Sequence, residues 1–409
     1  MKKHYVGLDI SDKETSIRIL DESGEIVKQL LALSNPKDIE RAIRSTGLTI
    51  EAIGLETGAM TDWIAGELKK RPQNEGELEK GLWTVKCLDS YKMSRLISMN
   101  INKNDSNDGY MVAEALRIGC FSKKFNLEVH TKSPISREIR SLIKIRQNNV
   151  GRRISIYNEI RGTLKSFGVI LPTATPGVFC EVVKEAIKNL PPLITMSITS
   201  DLNIYDSINK EVEKLTEAIE AIGEENEEVK LLTELPGIGV TTAIYFMAAI
   251  EDPKRFKSAK NVGAYFGLTP EQYSSGESNV MKGISKRGDS TMRSLLFEAA
   301  TTLLYRTKAK SELKSWGLKL EKKIGSKKAR IAVARKLAIM MFEVFNTKKH
   351  YIEKPKKPKQ KKEKYVLTTE ELQNLLELSK EHGCVSVKNA QQLKPLAMKD
   401  CQKNQLIMR

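Results

Sequence analysis

The chain has 409 residues, a hydrophobic fraction of 40% and a formal net charge of +17. That length predicts two or three domains, each with a real core. The charge points to polyanionic partners, nucleic acid first; the bland reading is a merely basic or ribosome-associated protein. The five cysteines, Cys87, Cys120, Cys180, Cys384 and Cys401, contain no CxxC pair. This argues against a structural zinc site and suits a reducing compartment. Lys2 and Lys3 lead into a short strand rather than a signal sequence, and no run reaches membrane-span length. The expected location is cytoplasmic.

Residues 5–31 read as three strands joined by short turns: Tyr5–Ile10, the alternating run Thr15–Leu20, and Glu25–Leu31 after the Asp21-Glu22-Ser23-Gly24 turn. Pro36–Ser45 reads as a helix, Ile53-Gly54-Leu55 as a strand delivering Glu56, Thr61–Lys70 as a helix and Gly81–Leu88 as a strand. Strands first, then strand and helix in alternation, predict an α/β domain with a mixed sheet.

Apolar residues then recur at helical spacing: Ile135, Ile139, Leu142, Val150, Ile154, Tyr157, Leu164 and Phe167, and again Ile204, Ile208, Val212, Leu215, Ile219 and Ile222. Both stretches predict long amphipathic helices, packed as an antiparallel coiled-coil arm with its turn-around between Leu171 and Pro192. An ordinary helical bundle core is the alternative. Residues 231–346 read as a mostly helical unit. Residues 353–364 hold seven lysines, two glutamates and two prolines, the pattern of a solvated basic linker, and a short helix is expected over Thr368–Lys380.

Four carboxylates stand at punctuation points of this plan. Asp9 is near the end of the first strand, Glu56 ends a later one before Thr57-Gly58, and Asp105 and Asp108 are three apart at the start of a helix. Carboxylates at strand ends converge on one sheet edge, and hard divalent cations take oxygen ligands beside phosphate. Taken singly, each has an ordinary reading as a turn former or helix cap. As an ordered set, Val6-Gly7-Leu8-Asp9-Ile10-Ser11, Glu56-Thr57-Gly58 and Lys103-Asn104-Asp105-Ser106-Asn107-Asp108 resemble the N-terminal domain of the DEDD-type insertion-sequence transposases. That family is related to the Piv DNA invertase and to bridge-RNA-guided recombinases. Asn104 departs from its usual threonine, at a position that is not a ligand. The resemblance implies a ribonuclease-H-like (RuvC-like) fold, with Asp9, Glu56, Asp105 and Asp108 holding Mg2+, or Mn2+ in its place.

Further along, Leu235-Pro236-Gly237-Ile238-Gly239 reads as a hairpin between two helices, where glycines let backbone N–H groups approach phosphate. An ordinary packing corner is the alternative. Then come Gly263-Ala264-Tyr265-Phe266-Gly267-Leu268-Thr269-Pro270, Tyr273-Ser274-Ser275-Gly276-Glu277, Gly283-Ile284-Ser285-Lys286-Arg287-Gly288-Asp289, and Arg293 on the next helix. From chemistry alone the serine segment is a small-residue loop, and Ser274 competes with Ser275. The run resembles the C-terminal domain of the same family, which implies that Ser275 is a nucleophile attacking a DNA phosphodiester. Gly237, Gly239, Lys286, Arg287 and Arg293 are the candidate phosphate-contacting positions.

The expected fold class is therefore α/β plus all-α. Residues 1–130 form the metal-binding domain, 131–230 the helical arm, 231–348 the helical domain with the serine element, and 349–409 a basic linker and tail. The resemblance implies a DNA recombinase of a mobile element, a structured guide RNA as partner, and a homo-oligomer, dimer or tetramer. The competing readings are a metal-dependent junction nuclease using water, a non-enzymatic binding protein on the same scaffold, and an ATPase of the actin or sugar-kinase type.

Overall fold

The computed structural model describes residues 2–71, 82–98, 105–121, 127–275, 278–308 and 311–352, with the side chains of 97, 105–107, 121, 273–275 and 278–281 left out. The expected linker over 353–364, the helix over 368–380, and Gly276-Glu277 lie outside the described residues.

The N-terminal region is a six-stranded mixed sheet in the order β3-β2-β1-β4-β5-β6, built from β1 (His4–Ile10), β2 (Glu14–Leu20), β3 (Ile26–Leu33), β4 (Ile50–Glu56), β5 (Val85–Leu88) and β6 (Glu128–Val129). β1 pairs antiparallel with β2 and parallel with β4, and β4 is parallel with β5. This arrangement is compatible with the ribonuclease-H-like expectation. Val6, Leu8, Ile17, Ile19, Ile53 and Leu55 are wholly buried on one face, where α1 (Pro36–Arg44) contributes Ile39 and Ile43 and α2 (Thr61–Leu68) contributes Ile64 and Leu68.

The other face is covered by α4 (Asp105–Phe121), and two glycines make this possible. Gly7 of β1 and Gly54 of β4 are register partners, and both lie under the helix. A Cβ at Gly54 would stand 3.2 Å from the Leu116 side chain. With no side chain in the way, α4 lies directly on the strands. α3 (Ser90–Ile97), capped by Asp89, packs beside it through Met93.

The predicted long helices are present as α5 (Pro134–Ser166) and α7 (Pro192–Glu224), 33 residues each, or about 50 Å at 1.5 Å per residue. They run antiparallel: Arg146 donates to Thr216 Oγ1 at 2.7 Å and Arg153 to Asn209 Oδ1 at 2.5 Å, one number rising as the other falls. The seam differs from the expectation. Val212 and Ile219 are buried, but Ile135, Ile154, Ile204 and Ile222 are exposed. Arginine-to-hydroxyl and arginine-to-amide bonds join the two helices mid-arm at positions outside the predicted apolar pattern. The turn-around also differs, because it contains α6 (Pro176–Ala186). Pro176 at its first turn starts the helix, and Phe179 and Val183, four apart, bury with Ile160, Leu164, Leu202 and Tyr205.

The C-terminal helical region contains α8 (Glu227–Thr233), α9 (Val240–Ile250), α10 (Lys260–Tyr265), α11 (Ser290–Thr301), α12 (Glu312–Ile324) and α13 (Ser326–Thr347). Ile143 of α5 and Ile219 of α7 belong to the same core as Leu232, Phe246, Leu296 and Leu337. The base of the arm is thus built into this region, and its core crosses the expected boundary at residue 230. Between α10 and α11 stands a two-stranded hairpin, β7 (Pro270–Ser275) and β8 (Ser278–Ile284). Ser275 therefore ends a strand rather than lying in an open loop.

Candidate active site

β1 and β4 deliver two carboxylates to one edge. Leu8 pairs with Leu55, so Asp9 and Glu56 leave the parallel strands side by side. Residues two apart on a strand share a face, so Asp9 follows Gly7 and Glu56 follows Gly54 onto the face that α4 covers. α4 begins at Asp105, and Asp108 is in its first turn. Asp9, Glu56 and Asp108 line one open cleft of about 460 Å³, together with Asp12, Thr57, Gly58, Thr61, Ser94 and Ser98.

The turn after Glu56 is pinned on both sides. Thr61 Oγ1 donates to the Glu56 carbonyl oxygen at 2.6 Å and accepts from Gly58 N at 2.7 Å. Thr57 N donates to the Leu88 carbonyl oxygen at 2.9 Å, and Thr57 Oγ1 accepts from Ser90 N at 3.1 Å. The Glu56-Thr57-Gly58 segment is thereby tied to α2, β5 and α3 at once.

Among the described residues, Asp108 Oδ1 is buried without a hydrogen-bond partner. A buried carboxylate oxygen left in that condition is costly unless a cation or water takes it up. The oxygen-only donor set suits a hard cation such as Mg2+. Among the described residues no three acidic, histidine or cysteine side chains close into a complete metal-binding group. The Asp105 side chain lies outside that description. The donor chemistry fits the ion, and the described part of the site leaves room for further ligands.

The second expected element is held by glycine crossings. Gly267 (φ +67°) and Gly288 (φ +88°) let two backbone segments touch: a Cβ on Gly267 would stand 2.0 Å from the Arg287 carbonyl oxygen, and one on Gly288 2.1 Å from that of Tyr265. Lys286, with φ +54°, lies between them and the hairpin. Ser285 N donates to the Thr269 carbonyl oxygen at 2.9 Å and closes the hairpin base. In the hairpin, Ser275 pairs with Ser278; its side chain lies outside the description.

Lys286 is exposed. Arg287 pairs with Glu271 at 2.9 Å. Arg293 reaches back from α11, donating to the carbonyl oxygens of Phe266, Arg287 and Gly288 at 3.2, 3.3 and 3.1 Å. Gly239 caps α9 with open space at its Cβ position, whereas a Cβ on Gly237 (φ +89°) would stand 2.7 Å from the Ala299 carbonyl oxygen. Gly237 thus packs against α11.

Asp289, between Gly288 and α11, is the anchor of this loop. It caps α11 through Met292 N at 3.0 Å and accepts from the Tyr245 hydroxyl at 2.9 Å and from Arg140 at 2.8 Å. Burial raises the Tyr245 hydroxyl above its usual range, with the Asp289 charge adding to the effect. The partnership with Tyr245 and Asp289 outweighs burial at Arg140 and holds its guanidinium above the usual value.

Sequence reasoning did not single out Asp12, Ser94 and Ser98 as cleft residues. Asp12 lies two residues past the end of the first strand, so its place near Asp9 was readable. Ser94 and Ser98 are four apart on α3, a spacing that marks one helix face but not what it faces.

The sequence pattern described as the Transposase IS116/IS110/IS902 family matches residues 229–315. The transposase for insertion sequence element IS1111A of Coxiella burnetii is 32% identical over 258 residues, covering 61% of this chain and 68% of that protein. The transposase for insertion sequence element IS1328 of Yersinia enterocolitica is 27% identical over 216 residues, covering 53% of this chain and 63% of that protein. The pilin gene-inverting protein of Moraxella bovis is 31% identical over 129 residues, covering 31% of this chain and 40% of that protein. Among the described residues, no helix is long and apolar enough to cross a membrane.

Proposed function

The chain belongs to the IS116/IS110/IS902 transposase family, and on that premise we propose that it cuts and rejoins DNA with a carboxylate cleft and a serine nucleophile. The observation that carries the reading is the meeting of Asp9, Glu56 and Asp108 in one cleft, with a buried oxygen of Asp108 that has no partner among the described residues. In this reading Asp9, Glu56 and Asp108 hold Mg2+ or Mn2+ together with Asp105. The ion supplies charge neutralisation for phosphoryl transfer when bound.

The Ser275 hydroxyl attacks phosphorus of a DNA phosphodiester. One phosphorus–oxygen bond to the strand breaks, a phosphoserine ester forms, and the leaving strand ends in a hydroxyl that takes up the proton lost from serine. Attack of a strand hydroxyl on the phosphoserine reverses the balance and restores Ser275, so rejoining needs no nucleotide cofactor. Lys286 and Arg287, beside the hairpin, act on the phosphate charge. A structured guide RNA selects the DNA by base pairing while the protein grips backbone, and the working form is a homo-oligomer. Such an enzyme acts in the cytoplasm.

The test is a cleavage reaction with labelled DNA junction, Mg2+ and the RNA that flanks the element, resolved on a denaturing protein gel. Label carried by the wild-type chain and lost in Ser275→Ala supports the serine step. Free cleaved DNA from both, with no label on protein, assigns water as nucleophile and makes the chain a metal-dependent nuclease.

A further inference from the structure

α3 presents one continuous stripe, Tyr91, Ser94, Arg95 and Ser98, at spacings of three and four. Ser94 and Ser98 line the carboxylate cleft. The stripe carries charge just beyond them: the Arg95 guanidinium lies 4.7 Å from the Tyr91 ring centroid. A second guanidinium joins it from nearly two hundred residues further along the chain, Arg287 of the hairpin base, 4.2 Å from the same centroid. The Tyr91 residue is 41% exposed and the Arg287 side chain 49% exposed.

Two like charges on one half-exposed ring repel each other and need a reason to be there. Glu271 balances Arg287; among the described residues no carboxylate pairs with Arg95. The ring holds both guanidinium groups by cation–π attraction, which fixes the planes of two forks that match phosphate oxygens. Beside them is a cleft with four acidic residues, Asp9, Asp12, Glu56 and Asp108, a field that pushes nucleic-acid backbone away. A positive rim offsets that repulsion where a strand must enter.

We infer that Tyr91, Arg95 and Arg287 form a seat for a backbone phosphate of the DNA strand that enters the carboxylate cleft. The seat spans the N-terminal sheet region and the hairpin region, so it forms only when the two are docked. It rests on the proposed DNA-cutting function and adds to it a substrate contact with Tyr91 as the positioning residue.

The test measures binding of the full chain to a labelled DNA duplex of arbitrary sequence by fluorescence anisotropy, between about 50 and 200 mM salt. Each backbone phosphate contact contributes about 0.9 to the slope of log affinity against log salt. Arg95→Gln and Arg287→Gln should each reduce that slope by about one. Tyr91→Ala removes no charge, yet should weaken binding about fivefold, the size expected from losing two exposed cation–π contacts. Tyr91→Phe, which keeps the ring face, should restore it.

Wild-type affinity in Tyr91→Ala, or unchanged slopes in both glutamine variants, overturns the seat. So does an effect confined to an RNA duplex of the same sequence, which would place RNA on the rim. Cleavage by Asp9→Asn is read separately. Normal cleavage there sinks the carboxylate reading and leaves the binding result standing; lost cleavage with Tyr91→Ala binding normally sinks the seat alone.

Discussion

Gly7 of β1 faces Gly109 of α4 so closely that a Cβ on residue 7 would stand 2.3 Å from the Gly109 carbonyl oxygen and 2.4 Å from the Ala113 nitrogen. Both obstacles are backbone, so no side chain can turn aside to make room. Asp9 lies two residues beyond Gly7, and Asp108 directly precedes Gly109. The glycine contact therefore fixes the separation of two cleft carboxylates. Gly7→Ala should lift α4 off the sheet and cost about 3 kcal/mol, the upper end of ordinary overpacking. Thermal unfolding should show the loss, and DNA cleavage should fall even at temperatures where the variant remains folded. A variant that melts like wild type would mean that α4 shifts freely.

The unpaired buried oxygen of Asp108 makes a second prediction, read without catalysis. Mg2+ binding to the folded chain should raise its melting temperature by on the order of 2–4 °C at concentrations well above the dissociation constant. Asp108→Asn should lose most of that response. It should melt no lower than wild type in the absence of divalent ions, because one of several neighbouring negative charges is gone. An undiminished Mg2+ shift in Asp108→Asn would remove Asp108 from the ligand set.

How much of this site was legible beforehand depends on the range of each contact. Asp9 and Glu56 were readable because strand ends are local signals, and β1–β4 pairing makes both reach one edge. Gly7 was quoted as part of a motif, but its reason is a helix about a hundred residues away. Register and approach across that distance are tertiary facts. The arm helices were readable from apolar spacing, whereas the Arg153–Asn209 and Arg146–Thr216 bonds were not, since polar residues inside a seam break the pattern that reveals it. Tyr91 and Arg95 gave only a helical spacing, and their meeting with Arg287 spans nearly two hundred residues. The hairpin around Ser275 was missed as strand because small residues carry little strand preference.

Asp289 joins α5, α9 and α11 through Arg140, Tyr245 and its own cap, and the loop bearing Lys286 and Arg287 is built on it. Its side chain is 11% exposed. Asp289→Ala would leave the Arg140 charge without its partner and the helix without its cap, a loss of about 3–5 kcal/mol. Tyr245→Phe removes one hydrogen bond and should cost about 1 kcal/mol. Chemical denaturation of both variants checks the ranking. Equal losses would mean that the Tyr245 hydroxyl, rather than the Asp289 charge, holds the loop.

Glu251 closes α9 with φ +58° and ψ −76°, near the γ-turn region that a side-chain-bearing residue rarely adopts. The contacts that hold it there come from the segment leading into α5. Ser133 N donates to Glu251 at 2.9 Å, His130 Nε2 lies 2.6 Å from its other oxygen, and Lys132 Nζ lies 3.5 Å away. Burial opposes ionisation of Glu251, but hydrogen bonds from Ser133, Ser136 and His130 win and lower its pKa to about 2. Burial also lowers the pKa of His130, aided by Arg255 and Lys132 and against the pull of Glu251. Both shifts act in one direction. Below an ordinary histidine pKa near 6.5, and again below a glutamate pKa near 4.5, the unfolded chain holds protons that the folded chain does not, so acidification favours unfolding. Glu251→Gln should therefore be less stable than wild type at pH 7, by on the order of 3 kcal/mol. That gap should close as pH falls from about 4.5 towards 2. His130→Gln should flatten the stability change just below pH 6.5 and leave the more acidic limb in place. Denaturant midpoints across this range decide the matter: a gap for Glu251→Gln that stays constant down to the acid limit would mean that its carboxylate charge does not hold the end of α9 to the start of α5.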